Sequence, residues 1–140
     1  MVKDCIFCRI VLGELPCDTV YEDDLVLVFF DIAPITLGHA LVIPKEHHTS
    51  ATTLPPHLSA RIMEVAPTIA TALMRSTGSD GFNLQLSNGT CAGQVVPHVH
   101  LHLIPRKPDD GVMMPVGKAR YESAEQKAEI LETARKRLSQ

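Results

Sequence analysis

Apolar and polar positions along this chain follow two different rhythms. Short apolar runs bounded by turn residues predict strands at Thr19 to Tyr21, Leu25 to Phe30, Gly38 to Pro44 and Gly81 to Ser87. The alternation is strict in His98-Val99-His100-Leu101-His102-Leu103-Ile104-Pro105-Arg106. Read as a strand, period two sends His98, His100 and His102 to one face and Val99, Leu101 and Leu103 to a core. A helix would scatter the histidines around its axis. From Pro55-Pro56 to about Ser76 the spacing changes to three and four: Leu58, Ile62, Val65, Ile69 and Leu73 form an apolar stripe. This predicts a long helix, with a kink at Pro67, which lacks the N–H that bonds back one turn. Met63, Ala66, Ala70 and Met74 widen its apolar surface, as either a helix-on-helix dimer seam or a broad core face would require. A short helix is predicted over Cys5–Leu12, ended by Gly13 and Pro16. A last amphipathic helix, about 123–138, opens on a capping-box sequence, Ser123-Ala124-Glu125-Gln126.

At 140 residues, 45% of them apolar, the chain reads as a single domain, 1–140, able to bury its own core. No apolar run is long enough to span a membrane, and the first residues lack a secretory apolar segment, which predicts a cytoplasmic protein. In that compartment four cysteines are expected as thiols or metal ligands rather than disulfides. A net charge of −3 speaks against a nucleic-acid partner, while a small anion needs only local donors.

The candidate chemistry centres on the histidine row. Neighbouring imidazoles cannot all carry charge, so at least one is expected to be neutral near pH 7, with a free lone pair. Such a ring serves as nucleophile, base or metal ligand. Cys5-x-x-Cys8 suits two ligands of a zinc ion, but a redox pair or two core cysteines give the same string. His47 or His48, with His98, would complete a zinc site. Asp31 ends an apolar run beside Phe29 and Phe30; it reads as a grip for ribose hydroxyls or as a plain turn-starting aspartate. His39 lies in an apolar setting that by itself suits a hydrogen-bonded core residue. The small residues of Thr90–Pro97 let backbone N–H groups approach an anion, and Gln94 can donate through its amide.

The histidine stretch, preceded by Gly93-Gln94, resembles the signature of the histidine-triad (HIT) superfamily of nucleotide-binding enzymes. The resemblance extends through Cys5-x-x-Cys8, Phe30-Asp31-Ile32, Gly38-His39 and Ile43-Pro44-Lys45-x-His47, so it spans a core of residues 5–106. It implies an α+β fold: a mostly antiparallel five-stranded sheet with a long helix and short terminal helices, the sheet continued across a homodimer. It implies attack on the α-phosphorus of a purine nucleotide phosphoramidate or related conjugate, with His100 as nucleophile and a nucleotidyl-histidine intermediate. His102 would contact phosphoryl oxygens or assist the leaving group, and His98 and His39 would form the supporting shell. Ser87, Asn88, Gly93, Gln94 and Val95 would line the phosphate. Asp31 would hold the ribose, with Ile6, Phe7, Phe29, Phe30 and Ile32 around the base. The zinc-containing bacterial branch implies a structural zinc on Cys5, Cys8, His47 and His98. The eukaryotic-type phosphoramidase branch commonly has asparagine at the position of Ser87, serine at that of Val95, and a tryptophan-containing C-terminus; this chain has no tryptophan. Within the same resemblance, dinucleoside polyphosphate hydrolysis and nucleotide binding without turnover are the alternative functions. From the residues alone, a zinc hydrolase with His98, His100 and His102 on one metal is a further reading.

Overall fold

A computed structural model describes residues 2–113, 117 and 119–139; both end residues of the expected 1–140 span lie outside them. Strands β1 (Thr19–Glu22), β2 (Val26–Phe30), β3 (Ala40–Pro44), β4 (Gly81–Leu86) and β5 (Leu101–Arg106) form one antiparallel sheet in the order β1-β2-β3-β5-β4. Helix α1 (Ile6–Val11) precedes the sheet, α2 (Pro56–Thr77) joins β3 to β4, and α3 (Ala124–Leu138) follows β5. This is the expected α+β architecture.

The central strands are apolar at consecutive positions because both of their faces are covered. On one face Val26, Val28, Ala40, Val42, Leu101 and Leu103 pack against Ile62, Val65, Ile69 and Leu73 of α2. On the other, Leu27, Phe29, Leu41 and Ile43 pack against Cys5, Phe7 and Cys8 at α1. Ala66 and Ala70 are fully buried in the first of these cores, so they do not form a dimer seam; the small side chains let α2 lie close to the sheet. Met63 alone of the widening residues is exposed on α2. The helix runs on through Pro67 to Thr77. Arg61 anchors α2 to the β1–β2 turn, its Nε donating to Asp23 Oδ2 at 2.8 Å. No residue of α3 is buried; Ser123 Oγ caps it by accepting from the Gln126 N–H at 3.0 Å.

Two strands start later than their sequence pattern. β5 begins at Leu101, so His102 alone of the three histidines lies within it. Pro97 has no N–H to give, and the Val99 N–H leaves the ladder for the carbonyl of His48 at 2.6 Å. The sides nevertheless hold: Val99, Leu101 and Leu103 are buried, while the rings of His98 and His100 both meet Phe7, at 5.8 and 5.3 Å between centroids. β3 begins at Ala40 because Gly38 is left-handed, with φ of +82°. A Cβ at that position would stand 2.9 Å from Thr77 Cγ2, so only glycine lets the chain pass α2 and present His39.

Candidate active site and metal centre

β3 and β5 lie side by side, with Leu41 paired to His102, and this brings His39 against the end of the histidine row. Hydrogen bonding then assigns every proton in the cluster. The Ile35 N–H donates to His39 Nδ1 at 3.0 Å, so the His39 proton sits on Nε2. That nitrogen lies 2.9 Å from His102 Nδ1 and 3.7 Å from Asp31 Oδ2. His102 Nδ1 therefore accepts, and His102 carries its own proton on Nε2. His98 Nε2 donates to the Pro44 carbonyl at 2.8 Å, leaving its Nδ1 lone pair toward Cys5 and Cys8. His100 Nδ1 donates to the His98 carbonyl at 2.6 Å, which leaves the lone pair on His100 Nε2.

The His100 ring is only 6% exposed, but its reactive atom is not sealed in. Among the described residues Nε2 has no protein partner, and no side-chain nitrogen or oxygen is both buried and unpaired. The same holds for His102 Nε2. A lone pair and an N–H donor, on rings 5.0 Å apart, thus open to solvent together. Burial, followed by the neighbouring His100 and His39 rings, pushes His102 down to about 4; burial likewise lowers His39 against the opposing pull of Asp31.

These depressed values predict a pH dependence of stability. Between about 6.5 and about 4 the unfolded chain protonates His102 while the folded protein leaves it neutral. The unfolded state then binds more protons, so stability is full above this window and falls as pH drops through it. Urea unfolding is expected to show a loss on the order of 1–2 kcal/mol from His102 between pH 7 and pH 5. A His102→Gln variant should show a shallower fall over the same interval; an equal slope would refute the assignment.

Cys5, Cys8, His47 and His98 converge, their ligand atoms lying within 4.8 Å of one another. Cys5 Sγ is 3.5 Å from His98 Nδ1, and Cys8 Sγ is 3.3 Å from His47 Nδ1 and 3.8 Å from His98 Nδ1. A tetrahedral ion with sulfur at ~2.3 Å and nitrogen at ~2.0 Å requires sulfur–nitrogen edges of roughly 3.5 Å. The donor set therefore fits such an ion, and the His98 Nε2–H on Pro44 is the outer bond that orients a ligating imidazole. His48 stays apart, its ring on Glu46 at 3.0 Å. A single metal held by His98, His100 and His102 is ruled out as a reading of this geometry, because His98 Nδ1 faces the cysteines and His100 Nδ1 faces a carbonyl. Asp31, His39 and His102 also converge. However, an imidazole bound through Nε2 carries its proton on Nδ1, where the Ile35 N–H already points, so that trio is a hydrogen-bonded relay and not a metal site.

Other expected site residues separate into those near the cluster and those elsewhere. Phe7 and Phe29 are buried together, 5.6 Å between centroids, with Phe7 against His100; Ile6 is half exposed on the same short helix. Phe30 ends β2 paired to Ala40, beside His39 in the chain, and is half exposed. Ile32 is 98% exposed. Asp31 does start a turn, Oδ1 accepting from the Ala33 N–H at 2.8 Å, while Oδ2 faces His39 at 3.7 Å. The Gln94 amide is committed within the loop. Its Oε1 accepts from the Gly89 N–H and its Nε2 donates to the carbonyls of Thr49 and Val96, so the amide braces the loop instead of facing an anion. The Gly93 and Gln94 N–H groups also turn inward, to the carbonyls of Thr90 and Gly89. Ser87 is half-buried just past β4, while Asn88 and Val95 are exposed on the loop. Ile10, which the sequence reading passed over, packs beside Phe7 and Phe29; it lies three positions from Phe7, a helical spacing that marks it as a neighbour.

The family model described as "HIT domain" matches residues 12–109. The chain is 47% identical over 108 residues, 77% of its length, to the adenylylsulfatase HINT3 of Arabidopsis thaliana, and spans only 55% of that protein. It is 42% identical over 117 residues to the adenosine 5'-monophosphoramidase hnt1 of Schizosaccharomyces pombe, covering 84% of each chain. Among solved structures, a zinc-bound histidine triad family protein from Mycobacterium smegmatis superposes with a TM-score of 0.74 at 36% identity, covering 97% of this chain and 96% of the other.

Proposed function

The chain belongs to the HIT domain family, and from that premise we propose that it is a nucleotide hydrolase acting on purine nucleotide phosphoramidates or related conjugates. One observation carries the reading: the bond from His100 Nδ1 to the His98 carbonyl fixes the tautomer, with the Nε2 lone pair open to solvent. Nε2 attacks the α-phosphorus, forming a nitrogen–phosphorus bond as the bond to the leaving group breaks. The leaving group departs with the electron pair and takes a proton from solvent. Water then attacks phosphorus, the nitrogen–phosphorus bond breaks, and the lone pair returns to His100 as the nucleoside monophosphate leaves. A neutral nucleophile meets no charge repulsion from the phosphoryl oxygens. With its proton fixed on Nε2 and its basicity suppressed, His102 serves those oxygens as a hydrogen-bond donor rather than as a general acid.

The base would lie against Phe7 and Phe29 with Ile6 at the rim, and the ribose against Asp31 Oδ2. Cys5, Cys8, His47 and His98 would hold zinc. Four protein ligands leave it no open position, so the ion's contribution is structural. We read residues 1–140 as one domain and the chain as a homodimer; edge strand β4, with Phe82 and Leu86 exposed, suits a continued sheet.

Rapid quenching with an adenosine phosphoramidate, followed by peptide mass spectrometry, tests the mechanism. An added adenylyl mass is expected on the peptide containing His100. Steady product formation with no trapped adduct would overturn the covalent route.

A further inference from the structure

Resting on the reading of His102 as a donor to the phosphoryl oxygens, we propose that Thr36 is a positioning residue. Its hydroxyl seats the β2–β3 loop so that the loop fixes the proton of His39, and through it the donor on His102. The loop, 32–38, contributes no side chain to either core. Ile32, Ala33, Pro34, Ile35 and Leu37 are all exposed, and Thr36 is half-buried. Among the described residues, the loop's one hydrogen bond to another part of the fold runs from Thr36 Oγ1 to the Pro105 carbonyl, at 2.6 Å. Its other bonds close on the flanking residues Asp31 and His39. The β3–β5 pairing ends at Ala40 and Leu103, so the Thr36 hydroxyl grips β5 just beyond the last paired residues. The loop therefore rests on the strand that carries His102.

A chain of donors and acceptors leads from that bond to the outer face of His102. The His39 N–H returns to the Thr36 carbonyl at 3.0 Å, which ties the two residues into one turn. Inside the turn the Ile35 N–H meets His39 Nδ1 at 3.0 Å. A neutral imidazole carries one proton, so an N–H aimed at Nδ1 leaves that proton on Nε2. Asp31 Oδ2 lies 3.7 Å from His39 Nε2, beyond hydrogen-bond range, so the Ile35 amide is the group that sets the tautomer. If the Ile35 N–H swings away, Nδ1 is free to take the proton. His39 Nε2 then faces His102 Nδ1 across 2.9 Å as an acceptor, and His102 must protonate Nδ1 to meet it. Its Nε2 would turn a lone pair toward the phosphoryl oxygens and lose the donor that stabilises them. One hydroxyl, two rings away from substrate, thus decides the sign of that contact.

Thr36→Val removes the hydroxyl and leaves a side chain of similar size. Single-turnover adenylylation of His100 by an adenosine phosphoramidate should slow by about tenfold, the upper scale of one hydrogen bond, while AMP affinity stays within about threefold. Thr36→Ser, which keeps the hydroxyl, should recover most of the rate. Long-range proton–nitrogen NMR spectra separate protonated from unprotonated ring nitrogens, a readout that lost stability alone does not move. The native protein should show the His39 proton on Nε2, and Thr36→Val should show Nδ1 protonated in part of the population. A native spectrum with the proton on Nδ1 overturns the proposal without any variant. A folded Thr36→Val protein with the native tautomer, or an equal loss of rate in the Val and Ser variants, overturns the role of the hydroxyl. A changed tautomer with an unchanged rate overturns the donor role of His102 instead, and leaves Thr36 as the residue that places the His39 proton.

Discussion

Replacing His100 by alanine drops nucleotide turnover by at least ~10³-fold while AMP affinity stays within about threefold, since the loss falls on a group that acts in the chemical step. No neighbour can substitute. His98 has its Nε2 on a carbonyl and its Nδ1 among the metal-site ligands; His39 has both nitrogens committed; His102 faces outward with a proton instead of a lone pair. Of the four, His100 alone offers solvent an unshared pair. Binding survives because the groups proposed to hold base and ribose, Phe7, Phe29 and Asp31, are untouched by the truncation. Initial rates with an adenosine phosphoramidate, with calorimetric titration of AMP, measure the two quantities separately. Turnover within tenfold of the native protein would remove His100 from the mechanism. A native protein with tight AMP binding and no turnover would make the chain a nucleotide binder.

Stripping the metal is expected to cost about 4 kcal/mol of stability, the contribution of a ligand held at a thousand times its dissociation constant. For a domain of this size that is a fall in Tm of roughly 10 °C. The ligands explain the size of the effect: Cys5 and Cys8 start α1, His47 follows β3, and His98 precedes β5, separations of up to 93 residues. One ion would pin three otherwise distant pieces of chain over the smaller of the two cores. Without it, two buried thiols and two imidazoles face each other, and burial pushes the Cys5 thiol up, against the thiolate. Calorimetric scans before and after chelation, with metal analysis of the untreated protein, test this. Cys8→Ser should reproduce the chelated Tm and gain nothing from added zinc. A stoichiometric metal whose removal leaves Tm unchanged would refute the structural role.

What was readable beforehand divides along physical lines. The stripe on α2 was legible because five apolar positions repeat over about four turns, and all five are buried. The facing of the histidines was legible from parity, even though Pro97 stops the ladder short of His98. The setting of Phe30 was not legible, because two adjacent phenylalanines in an apolar run carry no phase; its pairing with Ala40 appears only in the folded sheet. The bracing by Gln94 was not legible because one of its partners, the Thr49 carbonyl, lies 45 positions away. The Asp31–His39–His102 relay has no local signature either, since β3 and β5 must pair before those side chains meet.

His98 joins two tasks in one residue: its ring turns toward the cysteines while its carbonyl fixes the proton of His100. The two tasks sit on different atoms, since any substitution at this position removes the ring but keeps the carbonyl. A lineage relaxing its need for the ion could therefore exchange this side chain and still hold the His100 proton on Nδ1.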